Sequence, residues 1–184
     1  MHTSPNFHDG LGDRLARVKL LLLDVDGVLT AGGVTWTNEG VEQKTFHIRD
    51  GLGIRLWHSA DGRTGIVTGR ASRLVQLRAE ELGIPIVRQG VEDKFEATGS
   101  IIAACGVSWE ETAFVGDDLP DLPVIARCGV GVAVADACPE VVEAAALVTH
   151  SPGGRGAVRE VIEHLLKARG RWEEIVRRYR PTSA

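Results

Sequence analysis

Val18-Lys19-Leu20-Leu21-Leu22-Leu23-Asp24-Val25-Asp26-Gly27 is the stretch on which the fold turns. Apolar side chains at successive positions of an extended segment leave no polar face, so the segment must be covered on both sides, as strands of parallel sheets are. The run then stops at two carboxylates and a glycine. Shorter apolar runs follow at 64–67, 84–87, 112–115 and 130–134, with helical patterns between them at 51–59, 72–82, 94–105, 119–126 and 139–145. Strand and helix in alternation, joined by short connections, predict an α/β fold: a Rossmann-like doubly wound parallel sheet with helices on both faces. Glycine makes up 22 of the 184 residues. Average usage is roughly 7%, and the excess sits largely in the connections.

One segment breaks the alternation. Val34-Thr35-Trp36 and Val41-Glu42-Gln43-Lys44-Thr45-Phe46 flank Thr37-Asn38-Glu39-Gly40, the pattern of a β-hairpin inserted at about 33–47, directly after the first acidic loop. Such a hairpin is barely stable alone, and with Trp36 and Phe46 exposed it is expected to pack on another subunit or to fold back on its own domain. The segment before residue 18 is expected to fray. An amphipathic helix over 157–167 precedes a charged tail at about 170–184, whose mixed charges read as a solvated helix, and the chain is expected to form one domain over 1–184.

Composition narrows the function. Hydrophobic residues make up 43% and charged residues 25% of the chain, which excludes disordered, collagen-like and disulfide-scaffold classes. A net charge of −4 argues against a polyanion-binding surface, so no nucleic-acid partner is expected. The apolar runs are too short for a membrane span and the amino end lacks a signal-peptide core, so a cytoplasmic protein is expected. Cys105, Cys128 and Cys138 are odd in number and lack metal-type spacing, which predicts reduced, mostly buried thiols.

Open parallel sheets bind ligands at the carboxyl ends of their strands. Collecting the polar residues there gives Asp24 and Asp26, then Thr68-Gly69-Arg70, Lys94 near the start of a helix, and Gly116-Asp117-Asp118-Leu119-Pro120-Asp121. Singly, each fits a solvated turn or a helix cap. Together they are expected to converge on one site. Carboxylates on oxygen-rich loops, without a His or Cys cluster, favour Mg²⁺ over zinc. A carboxylate can attack phosphorus if a cation and donors such as Thr68 and Lys94 neutralise the transferring group. A second acid two residues along, Asp26, can protonate the leaving oxygen and then deprotonate water.

Asp24-Val25-Asp26-Gly27-Val28-Leu29-Thr30, Thr68-Gly69-Arg70, Lys94 and Gly116-Asp117-Asp118 resemble the four motifs of the haloacid dehalogenase superfamily phosphatases. Lys44-Thr45-Phe46-His47-Ile48-Arg49-Asp50-Gly51-Leu52-Gly53, Gln89-Gly90-Val91-Glu92-Asp93-Lys94 and Gly153-Gly154-Arg155-Gly156-Ala157-Val158-Arg159-Glu160 extend the resemblance to the 3-deoxy-D-manno-octulosonate 8-phosphate phosphatase family, over roughly residues 18–167. The resemblance implies a capless haloacid dehalogenase fold, a sugar acid phosphate substrate, a role in lipopolysaccharide biosynthesis, and a homotetramer in which hairpins of neighbouring subunits cover the active sites. It makes Asp24 nucleophile and metal ligand, and Asp26 the acid/base, whose backbone carbonyl also ligates Mg²⁺. Asp117 becomes a metal ligand and Asp118 and Asp121 its supports, with Thr68, Gly69 and Lys94 on the phosphate. Arg49, Arg70 and Arg155 are candidates for the substrate carboxylate. Ala31 departs from the pattern, standing where the family usually has an aspartate.

Alternatives remain at this level. The substrate could be a nonulosonate 9-phosphate; the chain could be a receiver-like phosphoacceptor, although those usually carry the acceptor after the third strand; or it could be a silent oligomerisation module. Gly51-Leu52-Gly53 is followed by Leu56 where a dinucleotide fingerprint needs glycine. Gly153-Gly154-Arg155-Gly156 fits an anion-binding nest or a flexible turn. His47 and His58 lack a triad or metal pattern and read as ordinary packed or surface histidines.

Overall fold

The computed structural model describes residues 10–180. From the amino end come α1 (Leu11–Arg17), β1 (Leu20–Leu23), β2 (Thr35–Trp36), β3 (Glu42–Gln43), α2 (Ile48–His58), β4 (Arg63–Val67), α3 (Arg73–Leu82) and β5 (Ile86–Arg88). Then follow α4 (Lys94–Cys105), β6 (Thr112–Gly116), α5 (Leu122–Arg127), β7 (Val130–Ala133), α6 (Pro139–Ala144), β8 (Leu147–Val148), α7 (Ala157–Ala168) and α8 (Trp172–Arg177). Six strands form one sheet in the order β5-β4-β1-β6-β7-β8, every pairing parallel, and β2 and β3 form a separate antiparallel hairpin.

All four leucines of β1 are fully buried, and their alternation divides the core. Leu21 and Leu23 pack with Leu15, Ile54, Trp57, Val161 and Leu165 under α1, α2 and α7. Leu20 and Leu22 pack with Ile101, Ile102, Val124 and Ile125 under α4 and α5. Two helix starts are set by side chains that satisfy free backbone donors: the Ser72 hydroxyl accepts from Leu74 N before α3, and Asp93 accepts from Phe95 N and Glu96 N before α4.

The structure departs from the sequence pattern in several places. Residues 11–17, expected to fray, form a helix because Leu11 and Leu15 find the core and Arg14 Nε donates to Gly129 O at 2.7 Å. The rest of that expected fraying, residues 1–9, lies outside the described residues, as do the last four residues of the tail. The helical pattern at 119–126 splits into a 3-10 turn, Leu119–Asp121, and α5. Pro123 has no N–H to donate to a helix begun at 119, so the helix restarts where proline is tolerated. Leu147–Val148 forms an edge strand that was not expected. In the charged tail the expected solvated helix is present over Trp172–Arg177, with Ile175 buried.

The hairpin is divided. Trp36 is 57% exposed, and Val34 and Val41 are exposed beside it. Phe46, expected to be exposed, is half-buried against the core beneath the Arg78 guanidinium at 5.7 Å. All three thiols are free, but only Cys128 is buried. Among the described residues no helix is long and apolar enough to cross a membrane.

Candidate active site

The chain leaves β1 toward β4 and β5, then returns across it to β6, so the crevice between β1 and β6 is a topological switch point. Asp24 continues the ladder there, its N–H donating to Val115 O at 3.1 Å. A cleft of about 420 Å³ opens above it, lined by Asp24, Asp26, Thr68, Gly69, Arg70, Lys94, Asp117, Asp118 and Asp121. Nine of the residues expected at the site therefore meet. Arg49 and Arg155 do not: within one chain they line other cavities, and Ala31 also lies outside the cleft.

Carboxylate oxygens of Asp24, Asp117 and Asp121 lie within 4.8 Å of one another. Asp121, without exposed surface, has both oxygens engaged: Oδ1 accepts from Lys94 Nζ at 2.6 Å, and Oδ2 accepts from Asp117 N at 3.0 Å and Asp118 N at 3.4 Å. It shapes the loop. Lys94 Nζ is also 3.1 Å from Asp24 Oδ1, an ion-pair contact without hydrogen-bond geometry. Asp24 Oδ1 and Asp117 Oδ1 are buried with no hydrogen-bond partner, an arrangement costly enough to need an explanation.

The electrostatics follow. Burial pushes the Asp24 carboxyl up to about 6, with Lys94 opposing and Asp121 adding to the rise. Burial pushes Asp117 up to about 7, reinforced by repulsion from Asp24 and Asp121. Burial works against the Lys94 ammonium, but Asp24 and Asp121 outweigh it and the group titrates above its usual range. Oxygen donors alone, two of them accepting no hydrogen bond, fit a hard divalent cation.

Glycine makes the approach possible at two points. Gly27 has φ +93°, and a Cβ there would lie 2.0 Å from Asp117 Oδ2. At Gly153 a Cβ would lie 1.6 Å from Gly27 O. Gly153 N donates to Asp136 Oδ1 and Gly154 N to Val28 O, both at 2.8 Å. The turn expected to be a nest or a flexible connection is instead a brace against the Asp24–Asp26 loop, with these two amides engaged.

Asp26 faces two cations: Lys44 Nζ at Oδ1, and Arg70 Nε 3.6 Å from Oδ2. Glu42 accepts from Ser72 Oγ at 2.6 Å and from Arg70 Nη2 at 3.3 Å. Glu42 and Lys44 escaped the sequence reading. Their signal was alternation, since residues two apart on an extended segment share a face, here the one toward Asp26. His47 Nδ1 lies 3.9 Å from Asp50 Oδ2, His58 Nε2 lies 3.0 Å from Thr64 Oγ1, and neither histidine reaches the cleft.

Residues 78–162 match the model of the haloacid dehalogenase-like hydrolases. A 3-deoxy-D-manno-octulosonate 8-phosphate phosphatase of Salmonella typhi is 45% identical over 157 residues, 85% of this chain and 84% of that protein. The crystal structure of the phosphatase of that name from Yersinia pestis superposes with a TM-score of 0.88 at 44% identity, over 90% of this chain and 89% of that one. The structure from Moraxella catarrhalis, in complex with magnesium ion, phosphate ion and a KDO molecule, superposes with a TM-score of 0.92 at 35% identity, over 94% and 100%.

Proposed function

The chain belongs to the haloacid dehalogenase-like hydrolases, within the 3-deoxy-D-manno-octulosonate 8-phosphate phosphatase family, and is a phosphoric monoester hydrolase; from that premise we propose that it hydrolyses 3-deoxy-D-manno-octulosonate 8-phosphate through a phosphorylated Asp24 with Mg²⁺ in the acidic cluster. The observation that carries the reading is the pair of buried carboxylate oxygens on Asp24 and Asp117 that accept no hydrogen bond, the first of them 3.1 Å from Lys94 Nζ. Asp24, Asp117 and the backbone carbonyl of Asp26 would hold the ion. Bound there, it supplies positive charge against the phosphoryl oxygens as negative charge builds on them.

The chain's own residues carry the steps. Thr68, Gly69 and Lys94 hold the phosphoryl oxygens. The Asp24 carboxylate attacks phosphorus and the bond to the sugar oxygen breaks, Asp26 giving that oxygen its proton. Asp26 then takes a proton from water, which attacks phosphorus and frees Asp24 and inorganic phosphate. Asp118 and Asp121 keep the metal loop and Lys94 in place. Arg70, at the cleft mouth, pairs with the substrate carboxylate. Arg49 and Arg155, which line other cavities within one chain, would reach the substrate from a neighbouring copy, and the exposed Trp36, Val34 and Val41 support a homotetramer in which the hairpin of one subunit covers the active site of another.

A receiver-like role is disfavoured by Asp26, which sits beside Asp24 in the cleft and supplies the hydrolytic base. The test is phosphate release with Mg²⁺ from 3-deoxy-octulosonate 8-phosphate, nonulosonate 9-phosphates and hexose phosphates. A preference in kcat/KM of at least ~100-fold, about 2.7 kcal/mol, is expected for the octulosonate ester. A nonulosonate preference, or flat hydrolysis, would overturn the substrate.

A further inference from the structure

At the base of the hairpin Lys44 carries an ammonium on a side chain only 2% exposed. Its contacts are Asp26 Oδ1 and, at 3.8 Å, Glu42 Oε1. A buried ammonium is costly without a charged partner, so Lys44 is committed to Asp26. Arg70, the other cation at Asp26, is 45% exposed and has room to turn toward a ligand. Glu42 is anchored in turn by Ser72, the residue that caps α3. A continuous chain of contacts, Asp26 to Lys44 to Glu42 to Ser72, thus joins the first acidic loop, the hairpin and the start of α3.

We propose that Lys44 is a positioning residue for the proton transfers of the reaction. It pins one oxygen of the Asp26 carboxylate and leaves the other to face the leaving sugar oxygen and then the attacking water. This inference rests on the function proposed above. A three-donor ammonium on a flexible stem suits the task, because it can hold Asp26 and lean on Glu42 without the planar demands of a guanidinium. The contrary reading is that Lys44 grips the substrate itself, and the two differ in which kinetic constant they move.

The experiment compares the wild-type protein with Lys44→Met, Lys44→Arg, Asp26→Asn and the Lys44→Met/Asp26→Asn double variant, each checked by thermal melting. We expect Lys44→Met to lower kcat by ~10–100-fold with KM within about threefold. In the Asp26→Asn background the same change should cost less than about threefold more, because a residue acting through Asp26 has nothing left to position. Lys44→Arg, which keeps the charge and guards against a misfolded methionine variant, should fall between wild type and Lys44→Met in kcat with KM unmoved. A raised KM at intact kcat, or additive losses in the double variant, overturns the proposal. Turnover by wild type that is indifferent to every Lys44 change overturns it while leaving the phosphatase standing; a wild-type protein without phosphatase activity removes both.

Discussion

Lys94 Nζ donates to Asp121 Oδ1 across 2.6 Å, joining the first residue of α4 to the turn after β6. Removing the acid leaves a buried lysine and two backbone donors, Asp117 N and Asp118 N, without their acceptor. Asp121→Ala is therefore expected to destabilise the protein by about 3 kcal/mol. Urea denaturation of the metal-free protein measures it, and a loss below about 1 kcal/mol would show that Asp24 alone suffices for Lys94.

Asp24→Asn separates chemistry from folding. The amide cannot attack phosphorus, so turnover should vanish. Burial holds the Asp24 carboxyl above its ordinary range, which means that the charged form is disfavoured in the native state. The metal-free variant at pH 8 should melt at the same temperature as wild type or higher. Residual activity near the wild-type level would overturn the nucleophile assignment.

Metal affinity should depend on pH with a definite sign. Asp24 and Asp117 titrate at about 6 and about 7 in the fold, against 3.8 for an ordinary aspartate. Native protein then binds protons that the unfolded chain has released, so the contribution of these groups to stability is full below pH 3.8 and is lost as pH rises through 6 to 7. Mg²⁺ competes with those protons, so its affinity should rise at least ~10-fold from pH 5.5 to pH 8, with proton release at pH 6 visible by calorimetry in two buffers. A pH-independent affinity would place the ion elsewhere.

How much of this was legible in the sequence depends on what signalled it. Leu20–Leu23 ended in Asp24, so the central strand and its acid could be read from the order of residue types; Thr68 and Asp117 followed from their places after other apolar runs, and Lys94 from its place near the start of a helix. Each is a local signal, a strand followed by a polar turn or, for Lys94, the start of a helix. Phe46 departs from its expected exposure, and Lys44 carried no expectation as a site residue, for the opposite reason. Their burial depends on Arg78 and Asp26, distant along the chain, and alternation puts Glu42 and Lys44 on one face without saying which neighbour that face meets. The helix at 11–17 was missed because its two core leucines are too few for a visible period.

The hairpin tip offers a test of assembly. Trp36 is 57% exposed in the lone chain, so Trp36→Ala should change its intrinsic stability by less than ~0.5 kcal/mol. If hairpins meet between copies, the same change should lower the mass seen by sedimentation velocity at micromolar protein. An unaltered mass would remove the tip from the interface.

The place of β1 at the centre of the sheet also has a cost during synthesis. Leu20–Leu23 has β4 on one side and β6 on the other, and β6 begins about 90 residues later in the chain. At ribosomal rates of ~5–20 residues per second, one edge of this four-leucine strand stays unpaired for roughly 5–18 s, and the face of Leu20 and Leu22 waits for α4 and α5 to be made. The strand that later delivers Asp24 is, in the nascent chain, the segment with most reason to be shielded from its neighbours on the polysome.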